Sequence, residues 1–153
     1  SHRLVLGLFV CLIGAVLGLI SLAAKVARAD TDRRAAFLVI VNAQNPAGAE
    51  SDEFVSGAFL KKVSRWDDGE TIQPVDLAPG SAVRRAFSES ILKRPVAAVR
   101  RYWQQRIFSG GDVPPPEVDS DDAVVRYVAK YRGAVGYVSP SAKLGTDRVL
   151  AVH

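Results

Sequence analysis

The chain has 153 residues, of which 48% are hydrophobic and 24% charged, and this length is typical of one domain. Its net charge is +4, but Arg3, Lys25 and Arg28 lie in a leader that contains no acidic residue. The remaining sequence is nearly neutral, so its overall charge gives no support for nucleic-acid binding.

The scarcity of cysteine and histidine excludes several kinds of chemistry. Cys11, the single cysteine, lies in the leader, so the rest of the chain holds neither a disulfide nor a cysteine metal site. The two histidines, His2 and His153, are at the termini, which argues against a Ser-His-Asp triad. We expect no catalytic residues, no metal site and no cofactor.

Residues 1–29 are typical of an export segment. A short basic start precedes the uncharged run Leu4–Ala24, and Ala27–Ala29 resembles a signal-peptidase cleavage site. At about 1.5 Å per residue the run is also long enough to span a bilayer core of about 30 Å. We therefore expect either a cleaved signal peptide or a retained transmembrane anchor, followed by a charged tether at 30–35.

Strands and helices are expected to alternate over residues 36–153. Continuous apolar runs and β-rich segments predict strands, and serines before acidic or apolar-periodic segments predict capped helices. Pro74 should place its strand at a sheet edge, and Gly133 should end the last helix. Lys61 and Lys62 should lie in the last turn of the helix that Ser51 caps. The expected strands are Ala36–Val41, Ile72–Leu77, Ala134–Val138 and Arg148–Val152, and the expected helices begin at Ser51, Ser81, Pro95 and Ser120. The alternation predicts one three-layer α/β lobe.

An ordered series of short motifs lies between residues 51 and 138. Its members are Phe59–Lys62, Trp66–Gly69, Gly80–Phe87, Tyr102–Trp103, Phe108–Gly110 and Gly133–Val138. Their order and spacing resemble the central lobe of the substrate-binding proteins of phosphate ABC transporters. The resemblance covers about Phe37–Val152 and implies a type-II periplasmic-binding-protein lobe, with a mixed sheet flanked by helices. The first lobe of that two-lobed family has no counterpart in this sequence.

The resemblance also indicates an anion site at the start of one helix. The family's Ser-Gly-Thr motif corresponds here to Ser81-Ala82-Val83, which lacks the glycine and the threonine. Free N–H groups and the helix dipole at an N-terminus favour anions. The candidate ligand-binding residues are Gly80, Ser81, Arg84 and Arg85. The alternative is that Ser81 serves only as a helix cap.

Other clusters have simpler explanations. Asp67 and Asp68 follow Trp66 in a predicted turn, and a hydrolase would require both to meet Ser81. The acids at 119, 121 and 122 suit the first turn of a helix better than a metal site. Arginines at 84, 85, 94, 100, 101 and 106 form either a solvated face or a basic surface for an acidic partner or anionic lipid heads.

The sequence is compatible with two functions. The first is a non-enzymatic, periplasmic interaction module, anchored in the inner membrane by Leu4–Ala24, that acts as an accessory subunit with other membrane-complex subunits. The second is a binding protein for phosphate or another small oxyanion in ABC-type transport or sensing. Calorimetry with phosphate or sulfate separates the two.

Overall fold

Residues 21–28, 31–33 and 36–153 are described by a computed structural model of the chain. The chain divides into two units, Ser1–Arg33 and Arg34–His153. The described residues 21–28 and 31–33 are helical. Most of the predicted membrane segment Leu4–Ala24 and part of the tether lie outside the described residues. Within the described ranges no helix has the length and hydrophobicity needed to cross a bilayer.

The second unit contains eight strands and four helices among its described residues. The strands are β1 (Leu38–Val41), β2 (Ala49–Glu50), β3 (Gln73–Pro74), β4 (Asp76–Leu77), β5 (Glu117–Val118), β6 (Ala134–Val138), β7 (Arg148–Val149) and β8 (Ala151–Val152). The helices are α1 (Asp52–Phe59), α2 (Ala82–Ser90), α3 (Val96–Phe108) and α4 (Asp121–Lys130).

The main sheet is mixed and has the order β3-β6-β1-β7. Strand β3 is parallel to β6, whereas β1 is antiparallel to both β6 and β7. Pro74 therefore lies in an edge strand, as predicted, where its missing N–H breaks no ladder. Two further parallel pairs, β2 with β8 and β4 with β5, extend the structure beside this sheet.

Helices cover both faces of the sheet. Gly136 and Tyr137 are neighbours in β6, so they face opposite sides. A side-chain carbon on Gly136 would meet Val124 and Val128 of α4. On the other side, the Tyr137 ring stacks on Phe87 of α2 at 3.9 Å between centroids. The predicted arrangement of a mixed sheet flanked by helices is therefore confirmed.

Three expected boundaries differ from the structure. The segment Ile72–Leu77 forms two strands, because the chain leaves β6 after Val75 and Asp76 donates its N–H to the Pro116 carbonyl. The segment Arg148–Val152 is likewise divided at Leu150, and β7 and β8 pair with different partners. Helix α1 ends at Phe59, before the lysines expected in its last turn, and Lys61 has a left-handed φ of 52°.

Candidate functional site

The predicted anion-binding loop lies directly before α2. Ser81 caps this helix, since its Oγ accepts the Arg84 N–H at 3.2 Å and its own N–H donates to the Ala78 carbonyl at 3.0 Å. Gly80 and Arg85 are exposed, and Ser81 is half-buried. The hydroxyl oxygen is used by the cap, but the hydroxyl hydrogen remains available to donate to a ligand.

Arg84 does not lie beside the exposed part of this loop. It is 2% exposed, and its Nη1 lies 2.9 Å from Asp76 Oδ2 and 3.1 Å from Glu117 Oε1. The same nitrogen donates to the Leu77 carbonyl. The guanidinium therefore joins α2 to the paired strands β4 and β5, and carboxylates of this chain occupy the position of its counter-ion.

Asp76 belongs to a buried polar network beneath the loop. Burial raises its pKa to about 6, and the neighbouring Arg84 opposes that rise. Tyr137 donates its hydroxyl to Asp76 Oδ1 and accepts the Leu77 N–H at 3.3 Å. Burial and the nearby Asp76 charge together raise the pKa of Tyr137 above its usual value. One polar atom of the network, Arg84 Nε, has no hydrogen-bond partner among the described residues.

The structure thus divides the four predicted site residues into two groups. Gly80, Ser81 and Arg85 lie at an accessible helix start, whereas Arg84 is held inside by acidic partners. With Asp76 and Glu117 ionised, their charges balance those of Arg84 and Arg85. An anion at this loop would be attracted mainly by the helix N–H groups and the dipole. The assignment of the four residues to anion binding stays a prediction.

Sequence reasoning missed the acids that hold Arg84. Arg84, Phe87 and Ile91 share one face of α2 at i, i+3 and i+7, and all three are buried. That spacing is a signal that the arginine points inward and needs a buried acidic partner. The partners themselves come from β4 and β5, which are brought to α2 only by the tertiary fold.

Apart from the loop before α2, the structure has a cavity beside Trp66. Its volume is about 390 Å³, and it is lined by residues 45–50 and 66–68. Burial and the charge of Asp67 raise the pKa of Glu50. Asp68 is paired with Arg132 at 2.8 Å, and the Trp66 indole donates to the Gly133 carbonyl at 2.9 Å.

These contacts make a packed turn the best description of Trp66–Gly69. Ser81 does not line the cavity, so nothing here brings it to Asp67 and Asp68 as a hydrolase would require. Within the described ranges there is no acid, histidine or cysteine cluster suited to a metal ion. Asp121 accepts the Ser139 N–H at 3.2 Å and also its hydroxyl, which gives it a structural role.

Comparisons with known proteins find similarity in the fold. No family model and no curated protein matches the sequence. Solved structures do match, each over 76% of this chain. An ABC-type phosphate transport receptor from Vibrio cholerae has a TM-score of 0.59 at 20% identity, with 45% of its own length covered. A putative phosphate ABC transporter substrate-binding protein with bound phosphate, from Clostridium perfringens, has a TM-score of 0.60 at 19% identity, with 44% of its own length covered. A possible phosphate binding protein from Planctomyces limnophilus has a TM-score of 0.57 at 18% identity, with 41% of its own length covered.

At these identities the likeness concerns the fold. The chain spans less than half the length of each of these three proteins. Over the 76% of the chain that is matched, it has the fold of phosphate ABC transporter substrate-binding proteins.

Proposed function

We propose that this chain binds phosphate or another small oxyanion without catalysing a reaction, in ABC-type transport or sensing. The observation that carries the proposal is an accessible, serine-capped helix start in a fold shared with proteins that are described as phosphate-binding. The ligand would lie against Gly80 and Ser81 at the first turn of α2.

The contacts available there suit an anion. The first N–H groups of a helix lack intrahelical acceptors, and only one of them, that of Arg84, is satisfied by the Ser81 side chain. The Ser81 hydroxyl can donate a hydrogen bond, and the exposed Arg85 adds a cation nearby. Arg84 supports this arrangement indirectly, by fixing α2 to β4 and β5.

The same geometry limits the affinity. Asp76 and Glu117 neutralise much of the local positive charge, and the loop is open to water, where ionic contacts are weak. A second surface, from another copy of the chain or from a partner protein, would exclude water and strengthen binding. We therefore expect weak binding by the isolated chain.

Calorimetry with phosphate and with sulfate tests the proposal. We expect Ser81→Ala to weaken binding about tenfold, because it removes a hydrogen bond to a charged ligand. Arg85→Gln should weaken it a few-fold, since the charge is exposed. Ser120→Ala is the matched control: Ser120 caps α4 with the same 3.2 Å bond, so the variant loses a cap away from the loop.

The control separates binding from stability. Both serine variants should lose about 1 kcal/mol of unfolding free energy, typical of a lost N-cap, but only Ser81→Ala should change the binding constant. Arg84→Ala is less informative, because it leaves the buried Asp76 without its cation and destabilises the fold. Absence of binding heat with both anions would overturn the proposal.

A second candidate function is favoured by the inward position of Arg84. If the loop at Gly80 and Ser81 does not bind an anion, the lobe would act as an interaction module and accessory subunit of a membrane complex. Its location would be the bacterial periplasm, with residues 1–29 as a signal or inner-membrane anchor, 30–35 as a tether and 36–153 as the lobe. Absence of anion binding, together with co-purification of the full chain with membrane proteins, would support this candidate.

A further inference from the structure

Helix α3 and its flanks form a strongly basic segment. From residue 93 to residue 111 the sequence has no aspartate or glutamate. Its basic residues are Lys93, Arg94, Arg100, Arg101 and Arg106. Such a one-sided distribution of charge creates a local positive potential even though the lobe as a whole is nearly neutral.

The inner face of α3 is occupied by packing contacts. Val99 and Trp103 are buried in the core. The guanidinium groups of Arg94 and Arg106 lie 5.6 Å and 5.9 Å from the centre of the Tyr102 ring. These two arginines are therefore held beside the helix by cation–π contacts, and they contribute charge without forming the outer surface.

The outer face carries two exposed arginines and an apolar end. Arg100 and Arg101 are exposed and form no ion pair within the part of the chain that the structure describes. Phe108 is 92% exposed and Ile107 52% exposed. Arg101, Gln104 and Phe108 follow at i, i+3 and i+7, so they share one face of the helix.

The loop after α3 extends the apolar end. Val113 is 58% exposed, and the acid next to it, Asp112, is paired with Lys61 at 3.2 Å. On the neighbouring helix α2 the exposed acid is Glu89, which lies near the exposed Arg85 on the same helix. The outer face of α3 therefore keeps its positive charge.

The kind of partner follows from the size and chemistry of this surface. A stable protein interface buries about 800 Å² on each side around an apolar centre. A few side chains at one helix end provide much less than that. Insertion of a few apolar side chains below a layer of arginines is instead typical of peripheral binding to lipid. Arginine also pairs well with the phosphates of anionic headgroups.

We infer that the outer face of α3 docks on an anionic lipid bilayer, with Arg100 and Arg101 at the headgroup phosphates and Phe108 and Ile107 inserted towards the acyl chains. Arg101 and Phe108 are about 10 Å apart along the helix. A helix tilted with its C-terminal end downward thus reaches the depth of about 5–10 Å that is typical of interfacial helices. This inference does not depend on anion binding at Gly80 and Ser81, nor on anchoring by the leader.

The test uses the full chain and a signal local to α3, because Leu4–Ala24 can itself associate with lipid. Phe108→Trp places an indole at the helix end, and the native indoles, Trp66 and Trp103, are 4% and 5% exposed and supply a constant background. Quenching by lipids with brominated acyl chains is measured on phosphatidylglycerol–phosphatidylcholine vesicles and on pure phosphatidylcholine vesicles. We expect strong quenching on the anionic vesicles only.

Charge variants in the same Phe108→Trp chain test the arginines. Arg100→Gln with Arg101→Gln should weaken local docking about 25-fold, because each cation lost near an anionic surface costs about fivefold in affinity. The matched control, Arg126→Gln with Lys143→Gln, removes two exposed cations from other elements and should change docking less than about twofold. Equal quenching on both kinds of vesicle, no quenching, or full quenching in the Arg100/Arg101 variant would overturn the inference.

Discussion

Arg84 illustrates how a local pattern and a tertiary contact give one residue two different roles. From the sequence it is a first-turn arginine next to a capped helix start, which suits an anion ligand. In the structure its side chain is buried and paired with Asp76 and Glu117. The acids come from segments distant in sequence, so no rule that is based on neighbouring residues predicts them.

Asp147 leads to a prediction about pH. This residue is 7% exposed, and neither carboxylate oxygen has a hydrogen-bond partner among the described residues. Burial raises its pKa from 3.8 to about 6. Because the folded pKa is above the unfolded value, the unfolded chain loses this proton first. The free energy of unfolding should therefore fall as the pH rises from about 4 to 6.

Asp147→Asn removes this ionisation and should stabilise the protein by about 1–2 kcal/mol at pH 7. The gain should disappear as the pH falls below about 4, because Asp147 of the unsubstituted protein then becomes protonated in the unfolded chain as well as in the folded one. Urea unfolding at the two pH values measures the difference, and the exposed Asp119→Asn is the control. Asp76 titrates in all three proteins, so its contribution cancels. An equal gain at both pH values would show that ionisation is not the cause.

The helix starts are the elements that local sequence rules predict best. Ser51, Ser81 and Ser120 each accept an N–H from three residues further along, as expected for an N-cap. Strand limits are predicted less well, because a strand ends where its partner ends. Segment 72–77 has the composition of one strand, but it pairs with β6 and then with β5.

Glycine is required at position 133 for a reason that differs from the one the sequence indicates. The sequence suggested a helix stop, but α4 already ends at Lys130. The requirement for glycine comes from Thr71, because a side-chain carbon on Gly133 would lie far inside contact distance of the Thr71 carbonyl oxygen. The Gly133 carbonyl also accepts hydrogen bonds from Gln73 N–H and the Trp66 indole, both at 2.9 Å.

We expect Gly133→Ala to cost about 3 kcal/mol or more of unfolding free energy, since a backbone carbonyl cannot yield easily. Gly136→Ala should cost about 1–3 kcal/mol, because its nearest neighbour is a Val124 methyl carbon at 2.5 Å, which belongs to a side chain that can adjust. Gly48→Ala, which meets no atom within 4 Å, is the control and should change stability little. Chemical denaturation measures the change in unfolding free energy of each variant. A loss of less than about 1 kcal/mol in Gly133→Ala would contradict the close approach of the Thr71 carbonyl.

At the scale of the whole molecule, the described lobe has one core that includes both tryptophans. Trp66 and Trp103 are buried on different elements and belong to the same cluster of buried side chains. We therefore expect residues 36–153 to unfold in one cooperative transition. In the single-tryptophan variants Trp66→Phe and Trp103→Phe, urea midpoints from fluorescence and from far-ultraviolet circular dichroism should coincide.

Each variant provides its own control, because the two probes are compared within one protein and any loss of stability affects both equally. A fluorescence midpoint that precedes the circular-dichroism midpoint in one variant would indicate that the lobe unfolds in parts.

The sequence by itself determined the class of the lobe, the helix starts, the buried strands β1 and β6, and the resemblance to phosphate transport proteins. These features depend on hydrophobic periodicity, capping and turn residues, which act between neighbours along the chain. Only the tertiary structure decided that Asp76 and Glu117 are the acids that hold Arg84, that Gly133 is required by Thr71, and that Phe108 ends an exposed basic helix face. Such features depend on which distant segments meet, because packing and ion pairing are set by proximity in space.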